Sequence, residues 1–199
     1  MEPLQILTGP CRRLIACLCL SAMFASTWPG QATGRAQEPP GMTPQDMALA
    51  RKLVGVWRLA NRTVTFADGT SRPDPRTTAY LIYSDTGMAC YIAMDPTRAA
   101  WTSEKAPTPE EALASITGLG AYCGTFHVNA AEGSVVHRME IERIPNLVGR
   151  GRKRMFKFDG DDRLILRVDG SEFQPPIVER RLLWERVKAR EDLTTKAKD

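Results

Sequence analysis

The groups in this chain with chemistry to offer are two histidines, a short basic run and a pair of cysteines. His137 lies in "SVVHRMEIE", where period-two alternation puts it on one face with Val135, Met139 and Ile141. An imidazole on an apolar face is either a core group satisfied by hydrogen bonds or, in a cavity, a group that holds or passes a proton near neutral pH. His127, in "YCGTFHVN", alternates with Cys123 and Thr125, opposite the face shared by Tyr122, Phe126 and Val128. Two histidines on opposite faces do not assemble the three or four ligands a metal needs, so no metal is expected. No Gly-rich phosphate loop, nucleophile elbow or Cys-His signature is present to imply a cofactor.

The basic run is "GRGRKRMFKF", residues 149 to 158. Read blandly it is a solvated patch. Arg152 and Arg154, however, alternate with Phe156 and Phe158, so inward-facing phenylalanines would place both guanidinium groups on an inner wall, able to clamp a carboxylate bidentately. Lys153 and Lys157 would then face water. The expected ligand-contacting set is Tyr80, Tyr122, Phe126, His137, Met139, Arg154 and Phe156.

These residues need strands to position them. Two helix starts share one design: Thr43 caps Pro44 with Asp46 three residues on, and Thr108 caps Pro109 with Glu111 in a capping box, predicting helices over 44–53 and 109–118. The remainder reads as eight strands, at 54–66, 78–84, 88–94, 121–129, 134–142, 151–158, 163–168 and 177–187, with "SDTG", "AAEG" and "DGDD" as tight turns. Eight strands in hairpin order predict an all-β, antiparallel up-and-down barrel, with one short helix before it and another between the third and fourth strands. Such a barrel has room for side chains or one small ligand. Folding about "AAEG" sets Phe126 opposite His137 and Val128 opposite Val135, and the next hairpin is expected to set His137 opposite Phe156 and Met139 opposite Arg154. Cys90 alternates with Met88, Ile92 and Met94, an apolar face, and Cys123 with polar residues, so the two are expected to be unbonded.

In a closed meander the last strand pairs with the first. "LLWERV" ends the last strand and "GVW" opens the first, which brings Arg186 to Trp57 for a cation–π contact. Gly55, Trp57, Trp184 and Arg186 are therefore read as structural. The Gly-x-Trp with its late arginine is the lipocalin signature. Together with "LVGVWRL", "YLIYSDTGMACYIAM", "YCGTFHVN", "HRMEIERIPNLVG" and "RLLWERV", the chain resembles the bacterial and fungal lipocalin-like domain family over about 53–187, with Leu147 where that family usually has an aromatic. The resemblance implies a small-molecule barrel and no single catalytic mechanism.

At 199 residues the chain is long enough for one domain with a core. Residues 1–36 read as a secretory signal: Arg12 and Arg13 precede an apolar run at 14–25, too short to span a bilayer, with small residues before cuts at Ala32 or Ala36. A linker at 37–43, a barrel domain at 44–188 and a charged tail at 189–199 follow. Lys and Arg number 27 against 23 Asp and Glu, and without the signal 24 against 22, so bulk charge gives no support for nucleic-acid binding. The expectation is an exported, periplasmic or secreted, barrel that binds a small apolar or acidic molecule. Two alternatives stay open: an isomerase or cyclase using His137 as acid or base, and a structural or protein-binding barrel with a filled core.

Overall fold

A computed structural model of the protein describes residues 41–74, 78–173 and 175–189. The expected signal segment, most of the linker and nearly all of the tail lie outside the described residues. Helix α1 spans Pro44–Leu53, and strands follow at Gly55–Phe66 (β1), Ser71–Pro73 (β2), Thr78–Tyr83 (β3) and Met88–Met94 (β4). Helix α2 spans Pro109–Thr117. The remaining strands are Leu119–Asn129 (β5), Ser134–Glu142 (β6), Gly151–Asp159 (β7), Arg163–Asp169 (β8) and Ile177–Arg186 (β9).

Every neighbouring pair is antiparallel, and β1 pairs with β3 through Gly55–Arg58 and with β9 through Trp57–Phe66. The sheet therefore closes into an eight-stranded barrel, as expected, and the short β2 adds a ninth strand along β1. Alternation explains the wall: in β8, Leu164, Leu166 and Val168 are buried while Arg163, Arg167 and Asp169 are exposed. Both expected N-caps are present, and each closes a capping box: the expected one at Thr108 with Glu111 and a second at Thr43 with Asp46.

Several expectations are corrected. The apolar side chains of β4 do not mark its inner face: Ala89 and Ala93 are buried, while Ile92 and Met94 are exposed. Tyr80 likewise points out of the barrel, 41% exposed, because β3 buries Ala79, Leu81 and Tyr83. Cys90 stands directly opposite Cys123 with Cα atoms 4.1 Å apart, and the two are bonded. Directly paired residues project to the same side of a sheet, so the opposite-face argument failed on the face assigned to Cys90.

The hairpin about "AAEG" has the expected register, with Phe126 opposite His137 and Val128 opposite Val135. Further along, a bulge leaves Glu140 unpaired between Ile141 opposite Cys123 and Met139 opposite Gly124. Ile141 consequently turns outward, 70% exposed, instead of sharing the inner face. Gly124 is what makes room: a Cβ there would lie 1.8 Å from the Arg138 carbonyl oxygen. The β6–β7 register also differs, with His137 opposite Arg152 and Val135 opposite Arg154. Strand β7 meets only the first half of β6, because the loop returns along Met139, whose amide donates to Arg150 O at 3.0 Å and whose carbonyl accepts from Gly149 N at 2.7 Å. The slip is an even number of residues, so the inward faces survive it.

Candidate functional site

One end of the barrel is shut. Helix α1 buries Ala50 and Leu53 against it, and the Asp46 carboxylate accepts from the Ala130 amide at 2.7 Å, tying the helix to the β5–β6 turn. Hydrogen bonds from Thr43, then from Ala130, hold the Asp46 pKa below the usual carboxylate value. Trp57 donates its indole N–H to Leu53 O at 2.8 Å. The Arg186 guanidinium lies 4.0 Å from the Trp57 ring centre and donates to Val54 O at 2.7 Å, Lys52 O at 2.8 Å and Asp161 O at 3.1 Å. Gly55 has φ +136° and a Cβ on it would meet Arg186 Nη1 at 2.6 Å, which is why glycine precedes this tryptophan by two places. The latch expected from the sequence is present.

Above this packed end lies a histidine held between two phenols. His137 is 1% exposed; its Nε2 meets Tyr83 Oη at 2.7 Å and its Nδ1 meets Tyr122 Oη at 2.7 Å. A neutral imidazole offers one donor and one acceptor, so one tyrosine donates to the ring and the other accepts from it. Burial, with Arg154 and Arg152 adding, pushes the His137 pKa down to about 3. Burial also pushes the Tyr122 phenol up to about 12 and Tyr83 well above its ordinary value. All three groups stay neutral, and neither ring nitrogen is left for a ligand.

At the other end, a cavity of about 110 Å³ opens toward the mouth. Leu81, Leu166, Val168, Leu182 and Trp184 give it apolar walls, Tyr91 and Tyr122 add phenol rings, and Arg62, Arg152, Arg154 and Arg180 surround it with Glu172 and Phe173. The Trp184 indole N–H is buried without a hydrogen-bond partner. Arg154, 6% exposed, is closed by Glu172: its Nη1 bonds one carboxylate oxygen and its Nη2 the other, the latter at 3.0 Å. Arg152 stands 3.5 Å from the same carboxylate and 3.8 Å from Glu142. Arg62 is paired with Asp74, and the Arg180 guanidinium lies 4.0 Å from the Phe173 ring centre.

Of the seven expected ligand residues, Tyr122 and Arg154 line this cavity. Phe126 is buried below it, edge-on to Tyr83 at 4.9 Å between ring centres. Phe156 packs edge-on against Phe158, Met139 is fully buried and borders a separate recess beside the 143–150 loop, and Tyr80 is outside. Sequence reasoning missed Arg62, Leu81, Tyr91, Leu166, Val168, Glu172, Phe173, Arg180 and Leu182. A signal for part of this set was available: Arg180 and Leu182 share the parity of Trp184 and Arg186. Glu172 and Phe173 belong to the β8–β9 connection, where no alternation points to a partner.

A family model described as a lipocalin-like domain matches residues 54–187. No curated protein matches the chain.

Proposed function

We propose, for a chain that belongs to the lipocalin-like domain family, that the mouth cavity binds and carries one small, mainly apolar molecule. The observation that carries this reading is the Trp184 N–H, buried without a partner on an otherwise apolar wall. An unmade hydrogen bond there costs about 1–3 kcal/mol, which an oxygen of a bound molecule would recover. The filled-core alternative describes only the end beneath α1. The isomerase or cyclase alternative needs an acid or base in contact with the ligand, and His137 has both nitrogens engaged and does not line the cavity. We also place the carrier in an exported compartment; the basic-then-apolar leader and the Cys90–Cys123 bond, a bond kept in oxidising surroundings, support that location.

Val168 is 6% exposed on the cavity wall, so Val168→Phe fills the space at an overpacking cost of about 1–3 kcal/mol. Native mass spectrometry of the purified full chain should find a small molecule retained by the wild-type protein and lost from this variant. Equal occupancy in both would move the ligand elsewhere, and a bare protein in every preparation would remove the carrier reading.

A further inference from the structure

A second recess, about 330 Å³, adjoins the cavity at the mouth, and Arg62, Tyr91 and Arg180 line both. Arg143, just beyond β6, lines the recess as well. The carboxylates nearby are already used in part: Asp74 holds Arg62, and Asp95 accepts from the Thr97 amide and hydroxyl at 2.9 and 2.7 Å. Glu172 occupies Arg154 and approaches Arg152. Arg143 and Arg180 are different. Among the described residues neither makes an ion pair, and the Nε of each is buried without a hydrogen-bond partner.

A half-buried guanidinium that makes no ion pair is held at a cost. At Arg180 burial, and then the charge of Arg62, bring the pKa below its ordinary value, and the opposing pull of Asp74 and Tyr91 does not offset them. Each of these guanidinium groups carries donors in a planar fork that matches an oxyanion. Behind them the inner cavity is smaller than the roughly 150 Å³ that admits benzene, so it takes an apolar group of about four carbons.

We propose that the cavity's ligand carries one oxyanion group, a carboxylate or a phosphate, held in the recess by Arg180 and Arg143 while a short apolar tail fills the inner cavity. This rests on the carrier reading above and names its ligand class. The head group is not the Arg154 clamp expected from the sequence, because Glu172 already closes that guanidinium.

Titration calorimetry of the full chain tests it with three probes: 3-methylbutanoate, 3-methylbutyl phosphate and the neutral 3-methylbutan-1-ol. At least one anion should bind about tenfold tighter than the alcohol, a difference of about 1.4 kcal/mol, and the tighter of the two identifies the head group. Arg180→Gln and Arg143→Gln should each lower anion affinity about tenfold while leaving the alcohol within about twofold, with Arg180→Lys intermediate. Should Arg180→Gln fail to fold, Arg143→Gln gives the same reading from outside the barrel strands. Equal affinity for alcohol and anions would overturn the oxyanion proposal and leave the carrier intact. Anion binding indifferent to both substitutions would overturn the assigned residues. No binding of any probe would count against the oxyanion proposal, and a molecule still co-purifying in that case would keep the carrier reading alone.

Discussion

At the residue scale, His137 is the group whose neighbours decide its role. Its two short bonds to phenols make it a fixed, neutral crosslink between β3, β5 and β6. The folded pKa near 3 lies below the ordinary 6.5, so as pH falls below about 6.5 the unfolded chain takes up a proton that the folded chain refuses. Stability attributable to this residue is complete above that range and declines toward pH 3, by up to about 1.4 kcal/mol per pH unit. Urea unfolding between pH 7 and 4 should show that slope in the wild-type protein and a shallower one in His137→Gln; equal slopes would mean that the histidine is protonated in the fold. Arg186 is the second decisive residue. Arg186→Ala removes the cation–π contact and three carbonyl hydrogen bonds, so a loss of about 1–3 kcal/mol is expected in the same assay, with ligand affinity unchanged because the latch is at the closed end. This latch was legible from Trp57 and Arg186 alone, since closure of a meander brings first and last strands together. The Arg154–Glu172 pair was not legible, because nothing in alternation says which way a loop carboxylate turns.

At the element scale, the strands and turns followed their punctuation, and the errors came from reading hydrophobicity as inwardness. In β4 the inner positions Ala89 and Ala93 are small because Tyr91 and its neighbours fill the interior, and the larger Ile92 and Met94 are left outside. That inversion misplaced Cys90, and a similar one misplaced Tyr80. The bond between Cys90 and Cys123 closes a span of 33 residues, and the Cys90→Ala/Cys123→Ala double variant should lose about 2–4 kcal/mol. Non-reducing peptide mapping should recover the two cysteine peptides linked; free thiols at both positions would contradict the register of β4 with β5. Gly124 supplies an independent test of the β5–β6 bulge. Gly124→Ala drives a Cβ into the Arg138 backbone, so in place of the gain of about 0.4–1 kcal/mol that Gly→Ala gives at a compatible position it should destabilise by more than that amount. A neutral or stabilising result would show that no bulge is there.

At the scale of the whole molecule, the barrel is two unequal halves. The half under α1 is packed with Leu53, Trp57, Val128, Val135 and Leu164, each fully buried, and it sets the fold without offering a site. The mouth half spends several inward positions on arginines and on Tyr91 and Tyr122, which is a poor way to fill a core. Closure and hairpin order were legible because eight alternating segments leave few other antiparallel solutions. The location of the cavity was not, since the slip between β6 and β7 and the inward face of β3 depend on contacts that no single strand records. The outer wall offers a rival place for an apolar molecule, with Ile82, Ile92 and Ile141 exposed on it. Intermolecular NOEs between the methyl groups of 3-methylbutanoate and the full chain distinguish the two most directly. Contacts to the Leu166, Val168 and Leu182 methyls are expected; contacts confined to Ile82, Ile92 and Ile141 would rule out binding in the mouth cavity.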